Sequence, residues 1–137
     1  MSDDANPPPP IPPVQPPPEN QVRMWNMFCH LSALVGLLGI PFGNVLGPLV
    51  VWQIKKNEIP SVEAHGKAAL NFQLTIVIAT IVSVAAGFIL SFFCVGILFV
   101  VLGGVVFLCG MIFALIAGIK ANDGQEYKYP YSLNLIK

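Results

Sequence analysis

Apolar residues run almost unbroken through the second half of the chain. From Ala68 to Ile119 there is no Asp, Glu, Lys or Arg, and all fourteen charged residues lie in tails, short polar loops or the start of a helix. About fifty such residues would extend ~75 Å as a helix, more than twice a ~30 Å hydrocarbon core, so the run is predicted to cross a membrane twice. The turn falls near Cys94-Val95-Gly96, between a third helix ending at about Phe93 and a fourth from about Ile97 to Ala121. Asn122-Asp123-Gly124 stops that fourth helix, because Asn and Gly tolerate the left-handed geometry of a helix end.

Upstream, Met24 to Ile54 is also free of Asp, Glu, Lys and Arg, but Gly39-Ile40-Pro41-Phe42-Gly43-Asn44 cuts it with residues that break helices. The pattern predicts a first helix over about Val22 to Gly39, ~27 Å long, and a second over about Val45 to Lys56, ~18 Å long and too short to cross. Asn44 is the expected N-cap of the second helix, with Pro48 in its first turn. The pair reads either as a hairpin of short spans or as a re-entrant unit. Ser61, after Pro60, is the expected cap of the third helix, with Glu63 near its positive end and Lys67 one turn on.

The expected fold class is therefore all-α, a polytopic helical membrane protein of four hydrophobic helices. Residues 22–121 form the membrane domain, preceded by a disordered proline-rich tail over 1–21 and followed by an extended tail over 122–137. Nine of the thirteen prolines fall in that amino-terminal tail. It reads as an inert spacer or as a ligand for an SH3-like or WW-like partner. The carboxyl tail alternates Tyr127, Tyr129, Tyr131, Leu133, Leu135 against Lys128, Pro130, Ser132, Asn134, a period of two that marks an extended segment with one apolar face. It is expected along the interface or against the connector, or as a binding strand for a partner.

Composition agrees with a membrane address: 55% of residues are apolar and 10% charged. The formal net charge is zero, which gives no basic footprint for nucleic acid. Lys and Arg are retained on the cytoplasmic side. Counted for four segments, Arg23, Lys55, Lys56, Lys67, Lys120, Lys128 and Lys137 all share one side and both termini are inside; with three spans the amino terminus moves outside. Cys29, Cys94 and Cys109 are odd in number, lack CxxC spacing and sit in apolar stretches, so they read as reduced, buried small hydrophobes.

Two patterns remain. Thr75, Ala79, Ser83, Gly87 and Ser91 on the third helix, and Gly110, Ala114 and Gly118 on the fourth, place small residues every four positions, a stripe that lets helices pack closely in lipid. It serves either packing of the two helices on each other or oligomerisation. The second pattern is polar: His30 within the first helix, Asn44 in the break, and His65, Lys67, Asn71 and Gln73 at the start of the third. On a helix Lys67, Asn71 and Thr75 stack, and His65, Ala69 and Gln73 make a neighbouring row. These groups either hydrogen-bond to the broken first unit or line a polar cavity. His30 is expected neutral and hydrogen-bonded. Cys29 and His30 point about 100° apart around a helix, so they do not make a metal site, and the distant His65 does not complete one. With no intramembrane carboxylate, nucleophile–base pair or phosphate loop, no enzyme chemistry and no cofactor are expected.

The ordered motifs Trp25 with Cys29-His30-Leu31-Ser32-Ala33, Pro41 with Gly43-Asn44-Val45-Leu46-Gly47-Pro48, Trp52 with Lys55-Lys56, His65-Gly66-Lys67 with Ala69-Leu70-Asn71-Phe72-Gln73, and Lys120-Ala121-Asn122 with Gly124, Tyr127, Tyr129 and Pro130 resemble a bacterial domain-of-unknown-function family. That family is regarded as similar to the chloroplast inner-envelope import component of the Tic type and includes the magnetosome membrane proteins MamF and MmsF. The resemblance covers Trp25 to the carboxyl end and implies a small polytopic inner-membrane protein, with no catalytic residues to carry over. The expected function is a scaffold or accessory subunit of a membrane assembly, with lipid and a homo-oligomer or complex as partners. The alternative is a transport or channel subunit assembled around Asn71, Gln73 and His30.

Overall fold

The computed structural model describes residues 16–91 and 95–136. Most of the proline-rich tail (1–15), Cys94 and most of the turn around it lie outside these residues. Among the described residues the fold is all-helical: α1 (Glu19–Leu31), a 3₁₀ segment (Ser32–Leu38), α2 (Gly43–Lys55), α3 (Pro60–Leu90) and α4 (Gly96–Asn122). Among the described residues only α3 and α4, with 31 and 27 residues, are long and apolar enough to cross a membrane. They pack on each other more extensively than any other pair of elements. Yet no more than 22% of the most apolar stretch of either is buried within the chain. Phe88 is 80% and Ile97 71% exposed. A soluble core helix buries such residues; these present them outward, as a bilayer requires.

Among the described residues four helices are present, and the first departs from its predicted length and apolar character. The first predicted helix divides: α1 ends at Leu31 and the chain tightens into the 3₁₀ segment. α1 carries Glu19, Asn20, Gln21, Arg23, Asn26 and His30, a polar content that suits one half-buried face and not a span. With 13 residues, α2 is also too short to cross. The two are folded back on each other through backbone contact: the Cβ of any other residue at Gly47 would run into the Ser32 carbonyl. Between them Gly39, at φ 78°, and Phe42, at φ 56°, turn the chain in left-handed conformations. This apolar tip, including Leu38 at 77% and Phe42 at 62% exposure, points away from the protein.

Helix ends differ from expectation for one shared reason: two intended capping side chains are engaged elsewhere. Phe42 precedes the first residue of α2 and Ile59 that of α3, and neither helix has a side-chain cap. Asn44 and Ser61 instead reach across to other elements, as described below. Because α2 begins at Gly43, Pro48 falls beyond its first turn and the Asn44 carbonyl lacks its usual helical donor. At the other end of the bundle α4 closes as predicted, with Gly124 left-handed at φ 77°.

Small residues pack as the four-residue spacing requires, with one correction. Gly110 lies under Ile76 of α3, Ser83 faces Gly103, and Gly87 faces Gly96, Phe99 and Val100, so these join α3 to α4. Ala114 is fully buried and Ala79 half-buried. Gly118, however, lies under Leu31 and Met27 of α1. The stripe of α4 thus serves two neighbours: α3 along its length and α1 at its charged end.

Candidate functional site at the polar end of the bundle

The polar candidates converge where α1, α2, the first turns of α3 and the carboxyl tail meet. His30 and Asn26, one turn apart on α1, both face α3. Ser61 Oγ donates to Asn26 Oδ1 at 3.0 Å, joining α3 to α1. From α2, Asn44 Nδ2 donates to Gln73 Oε1 at 3.0 Å, and Trp52 Nε1 donates to Glu63 Oε2 at 2.6 Å. Lys67 pairs with the other oxygen of Glu63 at 2.7 Å. Gln73 is fully buried, and its Nε2 has no partner among the described residues.

The two histidines, 35 positions apart, are in direct contact, which corrects the reading of His65 as distant. His30 Nε2 lies 3.1 Å from His65 Nδ1, and His30 Nδ1 lies 2.8 Å from the Tyr129 hydroxyl. A neutral imidazole has one donor and one acceptor, and among the described residues the phenol has no other acceptor. The direction that leaves no phenol proton unpaired is therefore Tyr129 donating to His30 and His30 donating to His65. Tyr129 is stacked on Phe72 at 4.0 Å between ring centres. Burial, with Tyr127 beside it, holds its phenol well above the ordinary range, so it stays a donor. Beyond His65 a cavity of about 60 Å³ is lined by Glu126 and Tyr127. The chain of bonds stops inside at Tyr129 and works as a tie between α1, α3 and the tail.

Asn71 and Thr75, stacked as the spacing predicted, hold the tail itself. Asn71 Oδ1 accepts from the backbone amides of Leu135 at 2.9 Å and Ile136 at 2.6 Å, while its Nδ2 donates to the Ile136 carbonyl at 3.0 Å. Thr75 Oγ1 accepts from Leu133 N at 2.9 Å and donates to the Asn71 carbonyl at 2.7 Å. A side-chain amide here substitutes for the neighbouring strand that an extended segment otherwise needs.

Sequence reasoning named His30, Asn44, His65, Lys67, Asn71 and Gln73 as candidates, and the structure places them at one end of the molecule. That reasoning missed Tyr129, Asn26 and Trp52 as their partners. Tyr129 had a signal, its place on the apolar face of the alternating tail; Asn26 had one in its spacing of four from His30. Cys29 is buried with a free thiol, as read, whereas Cys109 is exposed, bordering a groove between α3 and α4. Among the described residues no three His, Cys, Asp or Glu side chains converge to hold a metal.

The model of the magnetosome magnetite crystal formation protein family matches residues 21–136, which include every residue of this polar network. The chain matches no curated protein and no solved structure.

Proposed function

Because the chain belongs to the magnetosome magnetite crystal formation protein family, we propose that it is a non-enzymatic subunit of the magnetosome membrane, acting as a scaffold or accessory component of a membrane assembly. One observation carries this reading. Each polar side chain that offered itself as a functional candidate is engaged in holding the fold together, Lys67 through Glu63 and the others directly across elements. Asn71 is bonded to the tail, Gln73 to Asn44 of α2, and His30 to His65 and Tyr129, so the three do not line one common pathway and the alternative of a transport subunit built around them draws no support. What remains on the outside is apolar surface along α3 and α4, for lipid or for partner helices.

In this reading α3 and α4 cross the membrane, and the α1–α2 unit enters it from the charged end and returns. Its apolar tip at Leu38 to Phe42 sits among acyl chains. The Lys55–Lys67 connector, the last turn of α4 with Lys120 and the tail with Lys128 then share the cytoplasmic face of a bacterial inner membrane or a membrane derived from it. The mass of the full chain purified in mild detergent tests the assembly role. A homo-oligomer or a co-purifying partner is expected; a strict monomer without partners overturns it.

A further inference from the structure

The tail that Asn71 and Thr75 hold down borders a second, larger cavity that is open to the outside. It measures about 400 Å³ and is bordered by Asn71 of α3 and by Glu126, Lys128, Ser132 and Asn134 of the tail. Asn71 forms its wall, its carboxamide being engaged by Leu135 and Ile136. Glu126 and Lys128 are different. The ion pairs among the described residues are Arg23–Glu19, Lys55–Glu58 and Lys67–Glu63, so these two opposite charges border one cavity without pairing to each other. Apart and partly hydrated, they match a molecule that carries an anion and a cation a few atoms from each other.

An apolar groove of about 400 Å³ shares the same tail as a border, lined by Ile76, Ala79, Val105, Cys109 and Phe113 and by Pro130 and Tyr131. The linings adjoin in sequence, Asn71 with Phe72 on α3 and Tyr129 with Pro130 in the tail. Tyr131 stands at the rim, 97% exposed and held at φ 57°, a conformation that costs an L-residue about 1 kcal/mol or more. A ring presented there suits the headgroup layer.

We propose that this end of the protein binds a phospholipid with a phosphoethanolamine headgroup. Lys128 faces its phosphate, Glu126 accepts hydrogen bonds from its primary ammonium, Ser132 and Asn134 supply neutral donors, and one acyl chain lies in the groove between α3 and α4. A quaternary choline cannot donate to Glu126, and a glycerol headgroup offers it no positive charge, so the site discriminates against both. The bound lipid fixes the tail at the membrane surface.

The full chain, reconstituted in nanodiscs of equal phosphatidylethanolamine, phosphatidylcholine and phosphatidylglycerol and released for native mass spectrometry, tests this. Phosphatidylethanolamine is expected several-fold enriched among retained lipids, and the enrichment is expected to vanish in Glu126→Gln and in Lys128→Gln while persisting in Lys56→Gln. Retention at the bulk ratio, preference for phosphatidylglycerol, or an enrichment that survives both variants overturns the site. Soluble glycerophosphoethanolamine separates headgroup from lipid: if it displaces the retained lipid at equal concentration, the groove contributes nothing and lipid as the occupant is overturned; failure to displace it supports the acyl contact. Both variants are at exposed positions, and unchanged helical circular dichroism checks that they fold.

Discussion

The two ends of the helical bundle are held together by different forces. At the charged end, hydrogen bonds cross between elements at Asn26–Ser61, Asn44–Gln73, Trp52–Glu63, His30–His65, His30–Tyr129 and Asn71–tail. Toward the far end, contact is made by Ser83 against Gly103 and Gly87 against Gly96, and the Thr80 hydroxyl finds no partner among the described residues. Lipid tails are as apolar as the side chains they meet, so the far end gains by close packing alone. At the headgroup end water competes for every polar group, but a directional bond there selects which element sits against which. Packing brings α3 and α4 together, and the polar end assigns α1, α2 and the tail to their places.

The largest effect is expected where both forces depend on one backbone contact. Gly47→Ala pushes a methyl into the Ser32 carbonyl, which belongs to backbone and cannot swing away, and should cost about 3 kcal/mol in unfolding titrations in mixed micelles. Gly104→Ala, with nothing within reach of its Cβ, is the matched control and should be neutral or slightly stabilising. Next, Asn71→Leu removes three bonds to the tail at once, about 2 kcal/mol. The freed amides can reach water, so the tail is expected to leave; faster thiol labelling of a cysteine placed at Ser132 would report it, while the helical content stays constant. If labelling is unchanged, Asn71 is not the clasp.

A smaller effect sharpens the comparison. Gln73→Leu and Asn44→Leu should each cost about 1–2 kcal/mol by stranding the partner, and the double variant should be less destabilised than their sum by about 1 kcal/mol. Additivity would mean the pair does not hold α2 to α3. The smallest effect belongs to the far end. Thr80→Val keeps the shape and removes a buried hydroxyl without a partner, so stability should stay within about 0.5 kcal/mol of the parent or rise. A clear loss would show that this end, too, relies on a polar contact.

Much of this contrast could be read before any fold was known, because it follows from local chemistry. The spacing of Lys67, Asn71 and Thr75 placed two tail-binding groups on one face, and the absence of charge beyond Ala68 marked where the hydrogen bonds would thin out. Capping was misjudged at Asn44 and Ser61 for a reason the sequence does not carry: a side chain that suits a local cap also suits a distant partner, and Gln73 and Asn26 are such partners. His65 looked remote from His30 because 35 residues separate them, and only the return of the chain through α2 brings their ring nitrogens within 3.1 Å.

By itself, then, the sequence determined two long helices apolar enough to cross a membrane and the segment of the third helix where polar chemistry collects. Helical period and hydrophobic length are properties of consecutive residues and need no partner to be expressed. Tertiary structure decided that α1 stops short of spanning, that Gly118 serves α1, and that the tail closes over α3 with Tyr129 inside. Those outcomes depend on which of several competent donors and close contacts meet in space, and that choice is made only when the whole chain packs.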